Sequence, residues 1–188
     1  MLIGFCGPKG SGKDTACLYL SNKYGFHHKS FASPLKDIVK VMFQLSDHQL
    51  HVDKETPDPR WGNITPRKML QHVGTEWIRN QLGDLIPDIG TNYFVKHFDC
   101  WYTQRPGVDD AQHSDVSVAI SDVRFINEAE YIKSKGGIVV LIQRPGLDDV
   151  DTHISEKEYL FIKPDYIIHN DTFEHLYQQI NNVIDLKY

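Results

Sequence analysis

The chain has 188 residues, 40% of them hydrophobic and 24% charged, and its formal net charge is −5. This length suits a single domain with its own core, which we predict over residues 1–188. The acidic balance argues against a nucleic-acid-binding protein, and no apolar stretch approaches the roughly 20 residues that cross a membrane. Three cysteines without a CxxC pattern indicate reduced thiols. We therefore expect a cytoplasmic protein.

Short apolar runs alternate with helical patterns along the chain. Strands are predicted at residues 2–6, 28–31, 116–121, 138–142 and 166–169. Helices are predicted at residues 15–24, 34–44, 66–82, 92–103, 127–135 and 173–186. Continuous apolar strands are typical of parallel sheets covered on both faces. The pattern predicts an α/β fold of three layers, in which helices flank a five-stranded, mostly parallel sheet.

Two helices have a clear start signal. Ser33 and Thr65 each precede a proline, and Ser or Thr at the N-cap with Pro at the first helical position favours a helix start. Residues 52–63 are rich in Pro and Gly and predict a loop. We expect residues 33–103 to form a helical insertion and residues 144–156 to form a lid.

The first predicted strand is followed by Gly7-Pro-Lys-Gly-Ser-Gly12-Lys13, which matches the phosphate-binding loop G-x-x-x-x-G-K. Glycines allow the backbone N–H groups to surround an anion, and the next helix adds the positive end of its dipole. Lys13 would then reach the β- and γ-phosphates of a nucleotide. We assign to the nucleotide site Gly7, Lys9, Gly10, Ser11, Gly12, Lys13, Asp14 and Thr15.

Asp14 stands where this loop usually has Ser or Thr, whose hydroxyl binds Mg²⁺. A carboxylate can hold the ion directly or through water. It can also stabilise the helix N-terminus through the dipole. Both interpretations stay open, and Thr15 is a candidate donor to the α-phosphate.

Further motifs follow in a fixed order. They are Ser33-Pro-Leu-Lys36, Asp53-Lys-Glu55, Thr65-Pro-Arg67-Lys-Met-Leu70-Gln-His-Val-Gly74-Thr-Glu76, Asp122-Val-Arg124-Phe-Ile-Asn127-Glu128 and His153-Ile-Ser155-Glu156. Together with GKDT they resemble the deoxynucleoside monophosphate kinases of bacteriophages over about residues 1–175, and more loosely phosphomevalonate kinases. The resemblance implies a P-loop kinase fold, ATP and Mg²⁺ as cofactors, and a nucleoside monophosphate substrate. It also implies that the insertion at residues 33–103 binds the acceptor and that His153, Ser155 and Glu156 belong to a lid. A viral enzyme of this kind is expected in the host cytoplasm.

Phosphoryl transfer brings two anions together, so several cations besides Lys13 are expected. The candidates are Lys36, Arg67, Arg79, Arg124 and Arg144. Lys36 and Arg67 lie at helix starts, where the dipole also attracts a phosphate. The alternative for each is an ordinary surface charge. Arg144 follows the fourth strand, where nucleotide kinases supply a cation over the phosphates. Asn170 and Asp171, which follow the fifth predicted strand, resemble a turn that many such kinases place near the adenine.

Asp122 ends the third strand, at the carboxyl edge where such sheets bind ligands. We predict that it binds Mg²⁺ through water or orients the acceptor, with an ion pair to Arg124 or Lys13 as the alternative. Gln71, Glu76 and Trp77 are candidates for the acceptor base site. A core position is the alternative for Trp77. The aromatic-rich helix 92–103 is a candidate homodimer contact.

The motifs together predict phosphoryl transfer from ATP to a deoxynucleoside monophosphate. Lys13, Asp122, Arg124 and Arg144 are the predicted catalytic residues, and Asp14 and Asp122 the predicted metal ligands. One alternative is a P-loop kinase of phosphomevalonate or dephospho-coenzyme A. Another is a nucleotide-switched regulatory ATPase, whereas the absence of an N/T-K-x-D motif argues against a GTPase.

Overall fold

The computed structural model describes residues 1–87, 89–104, 116–147 and 158–187. One sheet contains the strands β1 Leu2–Cys6, β2 His27–Lys29, β3 Val118–Ile120, β4 Ile138–Gln143 and β5 Tyr166–His169. The strand order is β2-β3-β1-β4-β5, and each neighbouring pair is parallel. The predicted α/β fold is confirmed, with a sheet that is wholly parallel.

The described residues also contain eight α-helices. They are α1 Lys13–Tyr24, α2 Ser33–Phe43, α3 Asp47–His51, α4 Pro66–His72, α5 Leu82–Leu85, α6 Tyr93–Gln104, α7 Ile126–Ser134 and α8 Phe173–Asp185. A π-helical segment, Val73–Gln81, connects α4 to α5. Single 3₁₀ turns lie at Pro59–Trp61, Gly90–Asn92 and Glu158–Phe161.

Helices cover both faces of the sheet. Successive residues of a strand point to opposite faces, so neighbouring residues of β1 contact different helices. Ile3 and Phe5 lie in a buried cluster with Leu20 of α1 and Leu176 of α8. Gly4 points the other way, towards α7. A Cβ atom at Gly4 would lie 2.4 Å from Cδ1 of Ile132, so the missing side chain lets α7 pack closely on β1. The three predicted layers are therefore present.

Three local predictions differ from the structure. Ser33 was expected to cap α2, but it is the first helical residue, because the N–H of Lys36 already bonds to the carbonyl of Ala32. The single helix predicted over residues 66–82 changes to π-helical geometry at Val73. The short helix α3 was not predicted, and its capping box joins Ser46 and Gln49. The predicted cap at Thr65 is confirmed by its bond from the N–H of Lys68.

The chain divides into two compact units. The first, Met1–Ser30 with Thr103–Tyr188, contains the sheet and is called the α/β unit. The second, Phe31–Tyr102, is called the helical unit. In the ranges described by the structure, we find no helix both long and apolar enough to span a bilayer.

A buried carboxylate organises the loop before α4 in the helical unit. The side chain of Asp58 is only 3% exposed. It accepts a bond of 2.6 Å from Nη2 of Arg60 and one of 3.0 Å from Nε2 of Gln49 in α3. The Arg60 guanidinium is the main reason that the pKa of Asp58 is lowered to about 2. Asp58 therefore ties this loop to α3 as an ionised group.

We predict that Asp58→Asn lowers the urea midpoint of unfolding at pH 7, since the substitution removes the charge bound by Arg60 and Gln49. The folded pKa of about 2 lies below the ordinary value of about 3.9. The contribution of the carboxylate is thus complete above about pH 4 and is lost as the pH falls towards about 2. The difference between wild type and variant should shrink over that range.

Asp47→Asn is the matched control in the same unit. Asp47 lies 2.6 Å from Nζ of Lys40, but its side chain is 73% exposed. Exposed ion pairs contribute little to stability, so this variant should unfold almost as wild type does. Equal losses in the two variants, or a loss at Asp58 that does not change with pH, would contradict the prediction.

Candidate functional site

The glycine-rich loop runs from the end of β1 to the start of α1. Gly7 and Gly12 have φ angles of 135° and 107°, in the left-handed region that favours glycine. A Cβ atom at Gly7 would lie 2.4 Å from the carbonyl oxygen of Ile142, so the loop also packs against β4. The structure therefore has the strand–loop–helix arrangement in which backbone N–H groups can surround an anion.

The side chain of Lys13 folds back onto this loop. Its Nζ donates to the carbonyl oxygens of Gly7 at 2.8 Å and Pro8 at 2.6 Å, and lies 3.4 Å from Oγ of Ser11. These contacts hold the ammonium group beside the loop backbone. Ser11 is fully buried, whereas Lys9 is exposed.

Two predicted site residues from distant parts of the chain contact the same loop. Nη1 of Arg144, which directly follows β4, donates to the carbonyl of Gly10 at 3.1 Å. Nδ2 of Asn170, which directly follows β5, donates to the carbonyl of Ser11 at 2.7 Å. Arg144 is exposed, but Asn170 is buried. The structure thus brings Arg144 and Asn170 to the loop that contains Lys13.

The two predicted metal ligands lie near polar groups of β2 and β3. Asp14, in the first turn of α1, is 81% exposed and lies 3.8 Å from Nε2 of His28. That histidine nitrogen is also 2.9 Å from Oγ of Ser121. Asp122 accepts a bond of 2.6 Å from Oγ of Ser30. Side chains of α1 and of the residues that directly follow β2 and β3 therefore place oxygen atoms in the α/β unit.

Three of the predicted site charges influence the pKa of the buried Cys17 thiol in the α/β unit. Burial is the main cause that raises the pKa of Cys17 well above its ordinary value. The carboxylates of Asp14 and Asp122 raise this pKa further, and the ammonium of Lys13 lowers it. All three charges therefore act on one buried sulfur atom. Burial also raises the pKa of Cys6, to about 11, so neither thiol is a nucleophile at neutral pH.

Arg124 lies in the turn between β3 and α7. Its backbone N–H and that of Phe125 donate to Oε2 of Glu128, at 2.9 and 3.1 Å. Glu128 is only 1% exposed. The buried carboxylate caps α7 and holds the backbone of Arg124, which gives Glu128 a structural role.

Arg67 is anchored near the start of α4 in the helical unit. Its N–H donates to the carbonyl of Lys54 at 3.0 Å. Its Nε donates to Oε1 of Glu55 in a short ion pair, in which the Arg67 side chain is 19% exposed and the Glu55 side chain 63%. The guanidinium of Arg67 thus already binds a carboxylate, a group whose planar oxygen pair resembles part of a phosphate.

The helices that contain Lys36 and Arg67 pack against each other, and the π-helical segment packs on α2 as well. A Cβ atom at Gly74 would lie 2.7 Å from Cδ2 of Leu35, which shows how close this approach is. Lys36 and Gln71 are both half-buried. The structure therefore places Lys36, Arg67 and Gln71 on packed helices of one unit.

Glu76 and Trp77 both lie in the π-helical segment. Oε2 of Glu76 accepts a bond of 3.1 Å from Nδ2 of Asn80. Trp77 is 41% exposed and lies edge-on to His72, with ring centroids 5.7 Å apart. Trp77 is therefore not a core residue, in contrast to Phe94 and Tyr102 of α6, which are buried. π-helical turns occur frequently at functional sites.

Some predicted residues cannot be placed. His153, Ser155 and Glu156 lie outside the described residues, as does most of the predicted lid at 144–156. Conversely, His28, Ser30 and Glu55 contact predicted site residues, but the sequence analysis did not assign them. His28 and Ser30 could have been found, because the predicted second strand is a short one whose carboxyl end lies at the ligand-binding edge of a parallel sheet.

Comparison with known proteins identifies relatives of this chain. The family model described as deoxynucleotide monophosphate kinase matches residues 58–180. A putative deoxynucleotide monophosphate kinase of Acanthamoeba polyphaga mimivirus is 46% identical over 190 residues, covering 98% of this chain and 96% of that protein. The deoxynucleotide monophosphate kinase of Escherichia phage RB69 is 27% identical over 119 residues, or 63% of this chain and 44% of that protein.

Among solved structures, TT1252 from Thermus thermophilus matches with a TM-score of 0.50 and 12% identity, covering 100% of this chain and 97% of that one. This likeness concerns the fold alone. The sequence relatives do not favour the alternative acceptors or the regulatory ATPase. The chain belongs to the deoxynucleotide monophosphate kinase family, and as a kinase of this family it transfers a phosphoryl group from ATP to a deoxynucleoside monophosphate.

Proposed function

We propose that residues 7–15 bind the triphosphate of ATP and that Lys13 stabilises the phosphoryl group during transfer. This proposal rests mainly on the position of the Lys13 ammonium group, which the carbonyls of Gly7 and Pro8 hold beside the glycine-rich backbone. Loop N–H groups and one fixed cation are the donors that a transferring phosphoryl group needs, because protein catalysis of this reaction consists mainly of positioning and charge stabilisation. Arg144, 3.1 Å from the carbonyl of Gly10, adds a second cation at the loop.

We further propose that Mg²⁺ accompanies ATP and is held by Asp14 and Asp122, directly or through water. Asp122 accepts a bond from the hydroxyl of Ser30, and Nε2 of His28 lies 3.8 Å from Asp14 and 2.9 Å from the hydroxyl of Ser121. Such oxygen groups suit a hard cation. The described residues contain no cluster of three or more His, Cys, Asp or Glu side chains, which fits an ion completed by water and phosphate oxygens. When bound, Mg²⁺ neutralises charge on the phosphates.

We propose that Lys36 and Arg67 bind the phosphate of the acceptor and that Gln71, Glu76 and Trp77 contact its nucleobase. Arg124 is proposed as a further cation. The second pKa of a phosphate monoester is about 6, so the attacking oxygen is already ionised at neutral pH and no strong general base is required. In-line attack of this oxygen on the γ-phosphorus then gives ADP and a deoxynucleoside diphosphate. The cations reduce the repulsion between the two anionic substrates.

The remaining predictions concern partners and location. The cytoplasm, that of the host for a viral enzyme, stays our prediction and is supported by two relatives that come from viruses. That the chain binds no nucleic acid also stays a prediction, supported by its net charge of −5. A homodimer contact through α6 stays a prediction as well.

The proposed acceptor class is tested by incubating the protein with γ-labelled ATP, Mg²⁺ and one acceptor at a time. We expect label transfer to one or more of dAMP, dCMP, dGMP and dTMP, because the family acts on deoxynucleotides. Phosphomevalonate and dephospho-coenzyme A serve as acceptors that are not nucleoside monophosphates. Label transfer to either of these, with none to a deoxynucleotide, would contradict the proposal.

Lys13→Ala should lower kcat for the preferred deoxynucleotide by roughly 10²–10³-fold, since removal of one preorganised donor to a developing charge has an effect of this size. The measurement is the initial rate at saturating substrates. Lys23→Ala is the matched control, because Lys23 lies in the last turn of the same helix and contacts Tyr19 and Asn181 instead. Wild-type activity in the Lys13 variant would show that the loop does not take part in the reaction.

Arg67→Ala should raise the KM of the deoxynucleotide by about 10–100-fold and leave the KM of ATP unchanged, since a hydrogen bond to a charged group is lost. Glu55→Gln is the informative counterpart, because it removes the carboxylate that competes for Arg67. We expect it to lower the KM of the deoxynucleotide by up to about fivefold, in line with the small strength of an exposed ion pair. An unchanged acceptor KM in the Arg67 variant would exclude Arg67 from the site.

Asp14→Asn separates the two roles left open for this residue. If Asp14 binds Mg²⁺, the Asn variant should need at least about tenfold more Mg²⁺ for its half-maximal rate, because Mg²⁺ prefers charged oxygen ligands. The melting temperature without metal should change little, since loss of the helix-dipole interaction costs only about 0.3–1 kcal/mol. A lower melting temperature with an unchanged Mg²⁺ requirement would assign Asp14 to the helix N-terminus alone.

A further inference from the structure

Asn170 is a buried polar residue that connects the end of the sheet to the phosphate-binding loop. It directly follows β5, and its N–H donates to the carbonyl of Gln143, the last residue of β4, at 2.8 Å. Its side chain is buried, and Nδ2 donates to the carbonyl of Ser11 at 2.7 Å. Both the backbone and the amide group of Asn170 are therefore fixed.

The bond to Ser11 also determines where the neighbouring N–H points. The carbonyl of Ser11 and the N–H of Gly12 belong to the same planar trans peptide group, so they point in opposite directions. Because Asn170 holds the carbonyl on its own side, the N–H of Gly12 is directed away from Asn170. Rotation of this peptide would cost the buried amide its acceptor, which is unfavourable.

The glycine at position 12 makes this contact possible. A Cβ atom at Gly12 would lie only 2.4 Å from Nδ2 of Asn170 and 3.6 Å from Cδ2 of Leu176. Gly12 also has a φ of 107°. Two independent features, the backbone conformation and the close approach of the amide, thus require glycine where Asn170 meets the loop.

We propose that Asn170 is a positioning residue for the reaction: it orients the Ser11–Gly12 peptide so that the N–H of Gly12 faces the nucleotide phosphates. This inference rests on the proposed function of residues 7–15. It differs from a contact with the adenine base, because a residue that acts through the loop backbone affects every ligand that has the same phosphate chain.

The test compares ATP with inorganic tripolyphosphate, which has the phosphate chain but no base. Dissociation constants are measured by calorimetry for wild type, for Asn170→Asp, which keeps the size of the side chain but replaces the donor with a carboxylate, and for Asn170→Ser, which removes the donor without adding a charge. The loss of affinity must appear in both variants. We expect ATP and tripolyphosphate each to bind roughly tenfold or more weakly, as for the loss of a bond to a charged group. The KM of the deoxynucleotide acceptor should stay unchanged.

Asn181→Ala is the matched control. Oδ1 of Asn181 accepts bonds from Tyr19, Lys23 and Tyr24 and so joins α8 to α1 without contact to the loop. This variant should melt at a lower temperature but bind ATP and tripolyphosphate as wild type does. If Asn170→Asp does not fold, Asn170→Ala and Asn170→Ser apply the same test, since both remove the amide without burying a charge.

Four results would overturn the inference. Weaker binding of ATP alone would assign Asn170 to the base. A lower melting temperature with unchanged affinity for both ligands would make its role purely structural. Failure of wild type to bind ATP would overturn the proposed function and this inference together. If Lys13→Ala weakens the binding of ATP and tripolyphosphate but the Asn170 variants do not, this inference alone is overturned.

Discussion

A loop that presents its N–H groups to a polyanion must direct its carbonyl groups elsewhere, and each of those carbonyls then needs a hydrogen-bond donor. In this chain the donors come from three separate places. Lys13 bonds to the carbonyls of Gly7 and Pro8, Arg144 to that of Gly10, and Asn170 to that of Ser11. The conformation of the loop therefore depends on the fold of the whole α/β unit, although the motif itself is only a few residues long.

The strand order explains how such distant donors reach one loop. β1 is the central strand, with β3 on one side and β4 on the other, and all five strands are parallel. Residues that follow parallel strands lie at one edge of a sheet. Asp122 after β3 therefore lies on one side of the loop that follows β1. Arg144 after β4 and Asn170 after β5 lie on the other side. Asp122 is thus separated from Arg144 and Asn170 by the order of the strands.

The acidic composition of the chain constrains how it can hold anionic substrates. With a net charge of −5, the protein has no general attraction for phosphate, so binding must rely on local groups. Three of the predicted cations already contact oxygen atoms of the protein: Lys13 and Arg144 contact carbonyls, and Arg67 contacts Glu55. These contacts fix the positions of the cations, and the carboxylate limits the electrostatic cost of burying Arg67, whose side chain is 19% exposed.

The sequence by itself determined the class of fold, the position of the phosphate-binding loop and the family. Continuous apolar runs distinguish buried strands without knowledge of their neighbours, and the glycine motif is local because its geometry arises within a few residues. Only the tertiary structure decided the strand order, since the apolar runs do not encode which strands are adjacent. It also decided the π-helical turns at Val73–Gln81, where the close packing of Gly74 on Leu35 accompanies a geometry that the apolar pattern does not distinguish from an α-helix. The partners of Arg67 and Asn170 likewise depend on folding, because the groups that meet are 12 and 159 residues apart in the chain.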